Sequence, residues 1–282
     1  MIYENKKVKE LAQFAYMIIR RLDYTGKSNR IFVNSIPKSG THLVTALLTE
    51  VDGLKNSGVH IKTYEVNKNA SKSPLRNSKF SLDEYALENI LKRIRLGQVV
   101  TSHLPYNKKI IEVCRNLNYK TVFMRRNLRD ILFSEYYYIK KLERHFMHDW
   151  LIRNSKCMDS GIKLLLEGDG DAFPPFLDRM ERFSEWCKSK DVIQVSFEDL
   201  VKVKAGEDLD FIKSYLADLL EKLGIKYEEE KLSDVTNAIK SKGSFTMRNG
   251  KAGGWREEYK KLTSLTVEKI ENQLELIDNK NF

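Results

Sequence analysis

The chain has 282 residues, 41% hydrophobic and 31% charged, which is long enough to bury a substantial core in one large α/β domain or two small ones. Lys and Arg number 49 against 39 Asp and Glu, leaving a net charge of +10; the surface therefore attracts anions, and charge alone leaves nucleic acid, acidic membrane and phosphorylated small molecules open. Cys114, Cys157 and Cys187 are widely spaced and form no CxxC or Cys/His cluster, which excludes the common zinc patterns and suits a reducing compartment.

The N-terminal MIYENKKVKE is charged, and the apolar piece after it, Leu11 to Ile19, is interrupted by Gln13. It is too short to span a bilayer and has no small-residue cleavage site, so an amphipathic opening helix is expected over about 5–22, in a cytoplasmic protein without an integral membrane segment.

Ile31 to Leu48, IFVNSIPKSGTHLVTALL, predicts strand, loop, helix. Ile31, Phe32 and Val33 suit a buried strand, and Pro37 and Gly40 punctuate the turn. Leu43, Val44, Leu47 and Leu48 then give one apolar face to a helix beginning near Gly40. Its unpaired N–H groups and the positive end of its dipole point into the loop, where Lys38, Ser39, Thr41 and His42 add donors for an anion. The nucleotide-triphosphate pattern GxxxxGK[ST] is absent, because no glycine stands five residues before Gly40 and the lysine precedes the glycine. An ordinary strand-to-helix turn with one surface lysine would read the same way.

Val51 to Ser81 is rich in Lys, Asn, Ser and Gly, and a mobile surface segment near a site entrance is expected. Helical spacing returns over Leu82 to Leu96 and closes at Gly97. Gln98 to Ser102 is a short strand ending at His103, which falls at the carboxyl edge of the sheet, where open α/β sheets place ligands. Tyr119 to Met124 is the next strand, and Arg125, Arg126 and Arg129 crowd its exit. A helix follows with Asp130 as N-cap; Arg126 and Ser134 are either placed to reach one anion, or Arg126 pairs with a carboxylate and Ser134 is filler.

Lys140 to Lys190 reads as helical, with a turn at the acidic EGDGDAFPP run, which lacks calcium-loop spacing. Asp191 to Phe197 is a further strand, Glu198 opens another helix, and Phe211 to Leu223 is amphipathic up to Gly224. Strands near 31, 98, 119 and 192 separated by helices imply a single α/β domain with a central parallel sheet and helices on both faces. Ser244 to Arg256, SFTMRNGKAGGWR, suits a loop closing over a ligand or a flexible tail; a helix follows over about 264–278.

Taken together these segments resemble the sulfotransferases that use 3′-phosphoadenosine-5′-phosphosulfate (PAPS), over a core of about 30–256. PKSGT at Pro37 to Thr41 resembles the family's loop for the 5′-phosphosulfate, and HLP at His103 to Pro105 its strand end with the catalytic base. RNLRDILFS from Arg126 to Ser134 is similar to the segment whose arginine and serine bind the 3′-phosphate. Phe197-Glu198-Asp199 stands in place of Tyr-Glu-Asp, and RNGKAGGW from Arg248 to Trp255 resembles Arg-Lys-Gly-x-x-Gly-Asp-Trp.

The resemblance implies a P-loop-like architecture and transfer of a sulfuryl group from PAPS to a hydroxyl or amine of a small-molecule acceptor, leaving 3′-phosphoadenosine 5′-phosphate (PAP), with no metal and no nucleic acid. His103 is then the base and Lys38 stabilises the leaving phosphate. Backbone N–H groups from Ser39 through Gly40 and Thr41 to His42 hold the 5′-phosphate, Arg126, Ser134 and Arg248 bind the 3′-phosphate, and Asn249 and Gly250 complete the cofactor-binding set. Leu43 stands where many members have a tryptophan under adenine, which leaves Phe197 or Phe245 to that role, and Thr101, Asn249 and Gly254 replace a lysine, a lysine and an aspartate. A catalytically weak nucleotide-binding protein on the same fold and a P-loop small-molecule kinase are the alternative readings. The acceptor is expected between Val51 to Ser81 and Tyr136 to Asp171, whose tyrosines, Phe146 and Trp150 offer an apolar lining or ordinary core.

Overall fold

The computed structural model describes residues 29–51, 53–69, 80–170, 173–205, 208–228, 235 and 252–278. The helix expected over about 5–22 lies outside them. Five strands, β1 (Arg30–Ser35), β2 (Lys55–Ile61), β3 (Gln98–Ser102), β4 (Tyr119–Arg125) and β5 (Ile193–Ser196), pair in the order β2-β3-β1-β4-β5. Every neighbouring pair is parallel.

The apolar run of β1 is continuous because both faces of the strand are covered. Ile31 and Val33 pack with Leu43, Val44 and Leu47 of helix α1 (Thr41–Glu50) on one face. Phe32, between them, joins Phe123 and Trp186 on the other, where the last two rings stack at 5.6 Å. The remaining described helices are α2 (Glu84–Lys92), α3 (Lys108–Asn116), α4 (Leu128–Lys141), α5 (His148–Asn154), α6 (Met158–Glu167), α7 (Phe176–Glu181), α8 (Ser184–Lys188), α9 (Phe197–Ala205), α10 (Leu209–Leu223), α11 (Trp255–Tyr259) and α12 (Ser264–Asp278).

Two expectations are corrected. Part of the stretch read as a mobile surface segment is β2, an edge strand that needs only one inner face and so shows no apolar alternation. Ser57 and Ile61 supply that face, and Ser57 Oγ donates to the Val99 carbonyl at 2.7 Å. Second, the N-cap of α4 is Asn127, whose side chain accepts from the Arg129 N–H. Asp130 lies inside the first turn and is buried for another purpose, described below.

The topology fixes where a ligand sits. From β1 the chain leaves towards β2 on one side of the sheet, and from β3, the neighbour of β1, it leaves towards β4 on the other. The carboxyl ends of β1 and β3 therefore flank a switch point, with a crevice between their departing loops. Those loops begin at Ile36 and His103.

Candidate active site

The β1 loop is held open by its own backbone. Lys38 and Gly40 have φ of 69° and 100°, and Gly40 is the N-cap of α1. A Cβ on Gly40 would fall 2.6 Å from Cδ2 of Phe197, so both the left-handed conformation and the ring beneath it require glycine. Among the described residues the N–H groups of Gly40, Thr41 and His42 meet no acceptor, as the start of a helix dictates. Ser39 differs from its expected role. Its N–H is spent on the Ile36 carbonyl at 3.1 Å, and its buried hydroxyl lies 2.7 Å from Ile36 O and 3.1 Å from Met124 O. Ser39 thus ties the loop to the end of β4, and three N–H groups, not four, face the crevice.

His103 is placed by a polar clamp. The fully buried Asn34 accepts from the Leu104 N–H at 2.8 Å and donates to the Leu104 carbonyl at 2.9 Å. Ser102 Oγ donates to the same amide oxygen, and Trp186 Nε1 donates to the Leu104 carbonyl. His103 Nδ1 lies 3.0 Å from the Ser35 carbonyl. A carbonyl only accepts, so Nδ1 carries the proton and Nε2 is the basic nitrogen. Ser35 Oγ is also 3.0 Å from this ring and 2.6 Å from Thr41 Oγ1, which links the base to the first turn of α1. Burial, then the neighbouring His60, hold the His103 pKa down at about 4, with the Ser35 hydrogen bond opposing.

Lys38 extends over the Tyr138 ring of α4, with Nζ 3.6 Å from the centroid. Burial lowers its pKa to about 8, against the attraction of Glu135 and helped by the repulsion of Arg126. Lys38 also depresses His42 and His103, after burial in each case, so loop and base share one electrostatic site. Glu135 in turn pairs with Arg179. Arg126 donates to the Lys38 carbonyl at 3.1 Å and lies 3.9 Å over the Phe197 ring. Phe197 is 4% exposed, enclosed between that guanidinium and Gly40, and so it supports the loop and has little surface to offer a base. Ser134 is half-buried on α4 one turn before Tyr138, on the helix face that meets Lys38.

Phe245, Arg248, Asn249 and Gly250 lie outside the described residues. The end of their segment is anchored, because the Asp130 carboxylate, 4% exposed, accepts from Gly253 N at 2.8 Å and from Trp255 N at 3.1 Å. Sequence reasoning missed Asn34, Ser35, Glu135, Tyr138 and His60. The legible signal was the pair Asn34-Ser35, two polar residues closing an apolar strand. A cavity of about 820 Å³ lined by Asn127, Glu198, Lys202, Phe211, Trp255 and Arg256, among others, opens elsewhere; neither Lys38 nor His103 lines it. Among the described residues no group of three or more His, Cys, Asp or Glu could hold a metal, and no described helix is long and apolar enough to cross a membrane.

Comparison with known proteins bears on the fold. The structure of a mouse sulfotransferase, SULT7A1, complexed with PAP has a TM-score of 0.57 and 18% identity, covering 91% of this chain and 87% of its own. A protein from Arabidopsis thaliana named as a steroid sulphotransferase has a TM-score of 0.50 and 16% identity, covering 96% of this chain and 84% of its own. At these identities the likeness establishes the fold. No curated protein matches the chain significantly. The family model for the sulfotransferase domain matches residues 28–277, and the chain accordingly belongs to the sulfotransferase family.

Proposed function

We propose that the chain transfers a sulfuryl group from PAPS to a hydroxyl or amine of a small molecule by in-line displacement. The observation that supports this reading best is the meeting, across the β1/β3 switch point, of a cation and a neutral imidazole with three unspent helix N–H groups between them. An anionic phosphosulfate fits such a site, since Gly40, Thr41 and His42 offer donors and Lys38 and Arg126 offer charge. PAPS supplies the sulfuryl group and a phosphate leaving group; the protein contributes position, charge and proton transfer.

His103 takes the acceptor's proton on Nε2, the nitrogen that the Ser35 carbonyl leaves unprotonated. With a pKa near 4 the free ring is neutral at physiological pH, and a bound anion raises its basicity when the nucleophile arrives. Lys38 faces the growing negative charge on the leaving oxygen, where a fixed cation in a dry site is worth most. Arg126, which braces the loop, and Ser134 on α4 serve the 3′-phosphate together with Arg248, Asn249 and Gly250. Phe245 is the ring left for adenine, because Phe197 is already enclosed.

Sulfuryl transfer from PAPS to a panel of alcohols, phenols and amines tests the reading. Lys38→Ala and His103→Ala are expected to lower turnover by about 10²-fold or more while the proteins stay folded. Full activity in His103→Ala would remove the base assignment.

A further inference from the structure

β2 brings a second imidazole to the base. Its register shifts between Asn56 and His60, where Gly58 turns at φ 72° with its N–H held by Asn56 Oδ1 at 2.8 Å. An irregularity of this kind re-aims the residues after it, and here His60 comes level with Thr101. The His60 ring meets His103 edge-on, with centroids 4.8 Å apart.

The proton positions of the two rings follow from their partners. Thr101 Oγ1 lies 2.9 Å from His60 Nδ1 and 3.4 Å from the Val59 carbonyl, and all three groups are paired only when Nδ1 donates to the hydroxyl and the hydroxyl to the carbonyl. His103 Nδ1 donates to the Ser35 carbonyl. Both rings thus present a basic Nε2, and neither Nε2 meets a partner among the described residues. Burial lowers the pKa of His60, with His42 and Lys62 adding to it and Glu65 opposing, which keeps this ring neutral beside its neighbour. Two lone pairs cannot satisfy each other; each calls for a donor. A simple alcohol brings one proton, and His103 takes it.

We propose that His60 is a specificity-determining residue of the acceptor subsite, accepting a hydrogen bond at Nε2 from a second hydroxyl or amine N–H on the carbon adjacent to the one that bears the nucleophile. The inference rests on the sulfuryl-transfer reading. In the step, the nucleophile's O–H proton passes to His103 Nε2 as the new O–S bond forms. The old S–O bond breaks, with its electron pair going to the phosphate beside Lys38. The His60 hydrogen bond is kept throughout and only orients the acceptor. Rings this close are spanned by donors on adjacent atoms, not by donors at opposite ends of a molecule.

The test is a set of matched probes, cyclohexanol against cis-cyclohexane-1,2-diol and phenol against catechol, at saturating PAPS. After halving for the two equivalent hydroxyls, kcat/KM for the diol is expected to exceed that for the mono-alcohol by about fivefold. The ratio should fall to about one in His60→Ala and to an intermediate value in Thr101→Val, which frees the ring. It should be largely kept in His60→Gln, whose amide oxygen also accepts. Calorimetric affinities of the same probes for the PAP-loaded protein give the ratio without turnover. A ratio near one in the unaltered protein, or one unmoved by His60→Ala, would overturn the proposal. Equal loss for both probes in His60→Ala would overturn it too, leaving His60 as a support for the base. If PAP itself does not bind, the parent reading fails and this one with it, whereas PAP binding with a ratio near one defeats this proposal alone.

Discussion

Burial favours the neutral form of both Lys38 and His103. Burial brings the lysine down to about 8 and the histidine to about 4. The base works when neutral, so activity is lost as pH falls through the His103 pKa; the cation works when charged, so activity is lost as pH rises through the Lys38 pKa. kcat/KM for the donor nucleotide is therefore expected to be level between limbs near pH 4 and pH 8, and an acid limb near the ordinary histidine value of about 6.5 would contradict the burial of His103. The same shift has a stability counterpart. Between pH 6.5 and 4 the unfolded chain binds the proton that native His103 refuses, so stability falls as pH drops through that window. Gly40 is equally constrained, since alanine there adopts a left-handed φ and drives Cβ towards Phe197. Gly40→Ala should cost more than about 1 kcal/mol and lower the melting temperature by several degrees. The place of this loop between strand and helix was legible in the sequence, from the apolar runs on either side of Pro37 and Gly40, although an ordinary turn reads the same way. The roles of Ser39 and Phe197 were not, because they depend on Met124 and Arg126, which are distant in sequence.

At the scale of elements, the site depends on how the ends of β1, β3 and α4 are tied. Asn34 gives its whole amide to holding Leu104 and Ser102, and Asn34→Ala leaves a buried N–H and hydroxyl without their partner. A loss of about 1–3 kcal/mol per orphaned group in denaturant unfolding, with a larger loss of turnover than of donor binding, is expected. Asp130 does the same service for the segment ending at Trp255. Asp130→Ala removes the acceptor of two backbone N–H groups and should raise KM for the donor nucleotide by about tenfold, with kcat changed less; Asp130→Asn, which keeps one accepting oxygen, should fall between. An unchanged KM in Asp130→Ala would mean that the segment does not reach the donor. The strands with apolar cores and the helices α10 and α12 were legible from periodicity alone. β2 was not, since KNSGVHI is made a strand by pairing with β3 and by the Ser57 bond to Val99, neither of which leaves a local trace. His60 was hidden with it.

For the whole molecule, the net charge of +10 left several anionic partners open, and the topology gives one anion a place to sit. The strand order β2-β3-β1-β4-β5 sends the loops after β1 and β3 apart, and that crevice gathers the lysine, the N–H groups and the imidazole of an otherwise dispersed chain. Membership of the sulfotransferase family fits a site built for a phosphate-bearing donor. The most direct measurement is the melting temperature with saturating PAP, with ATP and AMP as controls and Lys38→Ala alongside. Ligand at about a hundred times its dissociation constant adds roughly 2.7 kcal/mol, a rise of several degrees for a chain of this size. A rise specific to the 3′-phosphorylated nucleotide and reduced in Lys38→Ala is the expected result. No rise with PAP, or an equal rise with ATP and AMP, would contradict a PAPS site at the β1 loop.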